Sequence, residues 1–94
     1  MNAPGSPYQI EVGGPAQRDL QRLPHKVAAA IVEFITGALA DNPRRLSKPL
    51  RDQLADYRSA RRGDYRVLLS IDEERRVVIV VGIRHRAHAY RRRP

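Results

Sequence analysis

The 94-residue chain carries 18 Lys and Arg against 10 Asp and Glu, for a formal net charge of +8 and an isoelectric point near 11.0, which points to a polyanionic partner. It has no cysteine, so a disulfide framework, a thiolate metal site and a cysteine nucleophile are all excluded. No apolar run approaches the roughly 20 residues of a membrane span, and the N-terminus lacks the charged start and apolar core of an export signal, which predicts a soluble, cytoplasmic chain with no membrane partner.

The charge is unevenly spread. Residues 1–57 hold five Arg, two Lys and six acids, whereas residues 58–94 hold eleven Arg and four acids, so nearly all of the excess lies in the second part. A preference for Arg over Lys explains the choice of cation but not its clustering, which is the footprint expected of a binder of nucleic acid or another polyanion.

In chain order, residues 1–7 (MNAPGSP) read as a flexible leader of small and turn-forming residues. Tyr8, Ile10 and Val12 alternate with Gln9 and Glu11, which predicts a first strand with one buried face. Gly13 and Gly14 break it. Pro15 opens a short helix through Leu23, and Pro24 starts a second in which Val27, Ile31, Phe34, Ile35, Ala38 and Leu39 recur at helical spacing, widened by Ala28 and Val32. Asp41, Asn42 and Pro43 end it, and the two helices are expected to form an antiparallel hairpin. Residues 43–56 read as a polar connection with a helical turn at 50–55. From Tyr57 the period becomes two, predicting strands at 57–62, 64–71 and 77–83, with DEERR as the last hairpin turn. The run VVIVVGI has no polar alternation, so both of its faces should be covered.

The expected architecture is α+β in a single domain, residues 8–90, followed by a basic tail, residues 91–94. An N-terminal strand and two-helix hairpin precede a three-stranded antiparallel meander, with the helices on one face of the sheet. The other face, where alternate valines of VVIVVGI point, calls for a cover such as a loop, the tail or a protein partner.

Arg66 and Arg84 fall at the start of one strand and the end of its hairpin partner, so they can meet at one end of the sheet. Arg58, Arg61 and Arg62 come from the adjoining strand or its turn, and His85, Arg86, His88 and Tyr90 follow directly. Fixed cations around a phosphate, with titratable groups nearby, suit phosphoryl transfer from a ribose 2′ hydroxyl. Arginine keeps its proton, so His85, His88 and Tyr90 are the proton carriers of this stretch. The competing structural reading pairs these arginines with Asp56, Asp64 and Asp72 on a solvated surface. The histidines show no metal-ligand spacing with carboxylates, and neither metal nor other cofactor is expected.

Taken together, LPHKVAAAIVEFI, NPRRLSKPLR, YRSARRGDYRVLLSID and VVIVVGIRHRAHAY resemble a RelE-type toxin of a bacterial type II toxin-antitoxin pair, over about residues 8–90. The most specific parts are GDYRV at 63–67 and the Arg84 and Tyr90 of RHRAHAY. The resemblance implies a metal-independent endoribonuclease that enters the ribosomal A site and cuts mRNA there. By position, Arg66 and Arg84 would hold the scissile phosphate, Tyr90 would orient or deprotonate the 2′ hydroxyl, and Arg61 would position the RNA. Arg58, Arg62, Arg86 and Arg91 would add contacts to RNA, including ribosomal RNA. A cognate antitoxin would wrap the toxin, and operator DNA would be met only through that complex.

The chain departs from well-known enzymes of this family in one respect. They place lysines on the second strand as phosphate ligands and proton donors, whereas Tyr57 to Arg62 contains none. His85 is the expected substitute as general acid, because it follows a phosphate-holding arginine. Two other classes share the resemblance: a ParE-like toxin that poisons DNA gyrase without cutting RNA, and an inactive toxin that serves as an antitoxin-bound operon regulator.

Overall fold

The structure, a computed structural model, describes residues 7–87. Strand β1 (Gln9–Val12) leads into helix α1 (Gly14–Gln21), and helix α2 (His25–Phe34) runs on through a π-helical turn at Ile35–Leu39. Four strands follow: β2 (Ser47–Pro49), β3 (Arg58–Arg62), β4 (Tyr65–Asp72) and β5 (Val77–His85), with a 3₁₀ turn at Asp52–Leu54 between β2 and β3. They form one mixed sheet in the order β1-β5-β4-β3-β2, with β1 parallel to β5 and every other pair antiparallel. This is the expected α+β architecture with one strand more, because β2 lies inside the segment read as connection. The short β2 holds Pro49, which has no N–H to offer and belongs on an edge strand.

The core lies between the helices and one face of the sheet. Ile31, Ile35 and Leu39 pack with Val67, Leu69, Val78 and Val80, all of them essentially inaccessible. The π-helical turn decides which residues of the second helix take part. Its wider turn brings Leu39 and Ala40 inward and leaves Ala38 exposed, so the apolar stripe is narrower than the spacing implies. Val32 is likewise 43% exposed and does not widen it. Strand β5 lies inside the sheet, between β1 and β4. On the sheet's other face Val77 and Gly82 are buried, while Leu68, Ser70 and Ile79 are half-buried.

At the far end of the sheet, Glu73 in the β4–β5 turn ties three segments together. It accepts the Tyr8 hydroxyl proton at 2.7 Å and Arg44 Nε at 2.5 Å, and Arg76 covers the Tyr8 ring at 4.1 Å. The bond from Tyr8, then that from Arg44, holds the Glu73 carboxyl below the usual carboxylate range. A lowered folded value means the stabilisation is complete above the unfolded glutamate value of about 4.3 and is lost as pH falls through the folded one. Urea unfolding between about pH 5 and pH 3 should therefore show a shallower loss of stability in Glu73→Gln than in the parent chain. Equal slopes would assign the acid sensitivity to other carboxylates.

Candidate functional site

Directly opposed residues of an antiparallel pair share a face of the sheet, so the register of β3, β4 and β5 sorts the basic side chains into rows. One row is Arg61, Arg66 and Arg84; the next is Arg62, Tyr65 and His85. The first lies on the face away from the helices. The second lies on the helix side, where Tyr65 packs against the core.

A β-bulge makes the first row possible. The pairing steps from Leu68–Gly82 to Leu69–Val80, which leaves Val81 as an extra residue in β5. Strict alternation would turn Arg84 toward the core beside Val78 and Val80. The extra residue reverses the phase, so Ile83 enters the core at 6% exposure and Arg84 comes out opposite Arg66. The expected meeting of Arg66 and Arg84 holds, through a device that the spacing does not reveal.

Arg84 is also steered by α1. Strand β1 ends at Val12, so it does not reach the Ile83 N–H, which donates instead to Asp19 Oδ2 at 2.9 Å. The same carboxylate oxygen accepts Arg84 Nη1 at 3.0 Å, with the Asp19 side chain 20% exposed. The guanidinium reaches it by lying back over Gly82, where an added Cβ would stand 3.0 Å from Nη1. Asp19 thus neutralises one member of a row in which like charges are adjacent, and α1 had offered no sequence signal for that role.

Arg61 and Arg66 line an open groove of about 420 Å³ on the same face, together with Ser59, with Lys48 of β2, and with Leu46 and Arg51. Arg61 Nε donates to the Gly63 carbonyl at 3.5 Å, in a hairpin turn where Gly63 has φ +60°, a conformation that L side chains resist.

The remaining expected residues divide. Arg58 is committed to the fold: its Nε donates to Ser47 Oγ at 2.6 Å, and Nη2 donates to the Ser47 and Arg44 carbonyls at 2.9 and 3.2 Å. It clasps β2 to β3 through the buried Ser47, whose hydroxyl donates to the Pro43 carbonyl. These bonds give Arg58 a role within the fold, beside the RNA contact expected of it. Arg58→Ala should cost about 1.5–3 kcal/mol of stability in urea titration, with Arg58→Lys recovering little because one ammonium cannot reproduce the fork. Arg62 borders a small helix-side cavity with Lys26 and Asp64. Arg86 is drawn to Asp64, its N–H donating to the Asp64 carbonyl at 2.7 Å and its Nη1 lying 4.0 Å from the carboxylate.

His85 stands edge-on to Tyr65, ring centres 4.9 Å apart, and its Nδ1 accepts the Ala87 N–H at 3.0 Å. The register turns it to the opposite face from Arg66, while His85 and Arg84 line one cavity of about 820 Å³ together with Asp19 and Tyr65. Tyr90 and Arg91, like His88, lie outside the described residues.

Comparison with known proteins bears on the family and the fold. Residues 10–90 match the family of the ParE toxin of the type II toxin-antitoxin system, parDE. The toxin RelE of Mycobacterium tuberculosis is 51% identical over 88 residues, 94% of this chain and 91% of the relative. The toxin RelG of the same organism is 48% identical over 86 residues, 92% of this chain and 99% of the relative. Among solved structures, the M. tuberculosis toxin-antitoxin complex RelBE2 superposes with a TM-score of 0.83 at 46% identity, covering 86% of this chain and 100% of the matched one. The archaeal RelE–RelB complex of Pyrococcus horikoshii gives 0.68 at 24% identity, covering 86% and 97%, a likeness of fold alone. By the family match, the identity of its relatives and the likeness of its fold, the chain belongs to the ParE toxin family of type II toxin-antitoxin systems, as a RelE-type toxin.

Proposed function

We propose that this toxin is a ribosome-dependent mRNA interferase that cuts the message in the ribosomal A site. The ribose 2′ hydroxyl attacks the adjacent phosphorus, and the P–O5′ bond breaks to leave a 2′,3′-cyclic phosphate and a 5′ hydroxyl. The observation that carries this reading is the row Arg61, Arg66 and Arg84 on three neighbouring strands, beside a groove open to solvent. Such a row supplies fixed positive charge where the pentacovalent phosphate gains negative charge, which is the largest single contribution that a rigid site makes. Arg66 and Arg84 take the phosphate and Arg61 positions the RNA. Tyr90 serves as the group that orients or deprotonates the 2′ hydroxyl, and Arg62, Arg86 and Arg91 add backbone contacts. No metal takes part in this scheme.

A RelB-type antitoxin is the proposed inhibitor, since the similar M. tuberculosis structure is a toxin-antitoxin complex, and operator DNA is reached through that assembly. The site of action is the cytoplasm, where ribosomes are. The test is primer extension on an mRNA in a reconstituted translation reaction, comparing the parent chain with Arg84→Ala and Tyr90→Phe. Cuts within A-site codons that need ribosomes and vanish in both variants are the expected result. Unimpeded translation without cuts would sink the reading and turn attention to DNA gyrase, the target of a ParE-like alternative.

A further inference from the structure

The cleavage proposed above needs a proton for the departing 5′ oxygen, and the arginine row cannot give one, because guanidinium groups do not deprotonate in proteins. His85 stands on the other side of β5, in a separate cavity that it lines with Arg84 and Tyr65 and that Arg66 and Arg61 do not line. On the arginine face, the register brings in a candidate from β2, a strand absent from the sequence reading. Lys48 is directly opposite Ser59, and Arg61, two residues further along β3, is its diagonal neighbour and in turn opposes Arg66. Diagonal neighbours stay within reach of long side chains. Lys48, Ser59, Arg61 and Arg66 line the same groove, and of these four Lys48 is the one cation that can release a proton.

The edge strand is built to aim it. Ser47 is buried against the helix side, where it opposes Ala60, so its neighbour Lys48 must turn to the other face. The Arg58 clasp on Ser47 fixes that phase, and Pro49 ends the strand at once.

From this juxtaposition we propose that Lys48 is a catalytic residue of the toxin: it contacts the scissile phosphate on its leaving side and protonates the 5′ oxygen. The 2′ oxygen forms its bond to phosphorus while the P–O5′ bond breaks. The electron pair of that bond goes to O5′, which takes a proton from the Lys48 ammonium, and neutral Lys48 then regains a proton from water. The 2′ proton passes to a water on the opposite side, so the water that reprotonates Lys48 and the water that takes this proton close the balance. This assignment rests on the mRNA interferase reading, and the ligand is an RNA phosphodiester.

The decisive experiment uses two mRNAs on programmed ribosomes in single-turnover cleavage, one natural and one with sulfur in place of the scissile 5′ oxygen. A thiolate leaves without needing a proton. Lys48→Ala should cut the natural message about 10²–10⁴-fold more slowly than the parent chain. Lys48→Arg, which keeps charge and bulk, should be nearly as slow. Both should cut the 5′-thio message at nearly the parental rate, whereas Arg66→Ala should remain slow on both. Full activity of Lys48→Arg on the natural message would overturn the proton-donor role, as would an equal defect of Lys48→Ala on the two messages. If the parent chain cuts neither message, the interferase reading falls and this inference with it. If the parent chain cuts and Lys48→Ala matches it, this inference falls alone.

Discussion

On the proposed mRNA interferase activity, Arg66→Ala should lower the single-turnover rate of A-site cleavage by about 10²–10³-fold, the expected cost of removing one fixed donor from a charged transition state. Three features make Arg66 the most sensitive position. It is the middle member of the row, opposite Arg61 on one side and Arg84 on the other. It sits in β4, the central strand of five, so its backbone has the least freedom to drift. Finally, Arg66 lines the groove that Lys48 and Arg61 also line. Arg66→Lys should recover only part of the loss, because an ammonium keeps the charge and gives up the two-pronged geometry that matches a phosphate. Arg75→Ala is the control. That arginine is in the turn at the other end of β4 and β5, bonded to Asp72 at 2.9 Å, and its loss should leave the rate unchanged. Were both variants slowed alike, net charge rather than the arginine row would be what the reaction uses.

How much of this was legible in the sequence differs from element to element. The strands and helices that fill the core announced themselves through period, because burying one face imposes a spacing on apolar residues; Tyr8 to Val12 and the run from Val77 are examples. Membership of Arg66 and Arg84 in one cluster was legible for a related reason, since hairpin partners run back past each other. The side of the sheet each residue takes was not. A single extra residue at Val81 exchanges the faces of everything after it, so His85 and Arg84 trade the places that alternation gives them. Strand β2 was hidden because three residues, one of them proline, carry no periodic signal; its place comes from Ser47 and Arg58, partners eleven positions apart. Asp19 was hidden for the same reason, as its two partners lie more than sixty residues away. Non-local hydrogen bonds leave no mark on local composition. In this toxin they decide which basic residues brace the fold, as Arg58 does, and which line the groove, as Arg61 and Arg66 do.

Leu69→Ala should remove about 2–5 kcal/mol of stability, the cost of a cavity in a core that cannot close over it. Leu69 is fully buried on β4, beside the bulge and opposite Val80, in the cluster that also holds Ile31, Ile35 and Leu39. Its strand neighbours cannot swing in to fill the space. Val67 and Val80 are β-branched and held by the ladder, and Ala60 on β3 has a single methyl to offer. A domain of this size has only about 5–15 kcal/mol in total, so the variant sits near its unfolding threshold. The urea midpoint should fall sharply at an unchanged slope, because the surface exposed on unfolding is almost the same. Leu69→Met, which preserves volume, should cost less than about 1.5 kcal/mol. The antitoxin adds a second readout. A partner that binds only the folded toxin stabilises it by mass action, so Leu69→Ala should melt at a clearly higher temperature in the complex than alone. A small loss in the alanine variant, well under about 2 kcal/mol, would mean that the sheet and helices close over the gap, and that this core is softer than its complete burial implies.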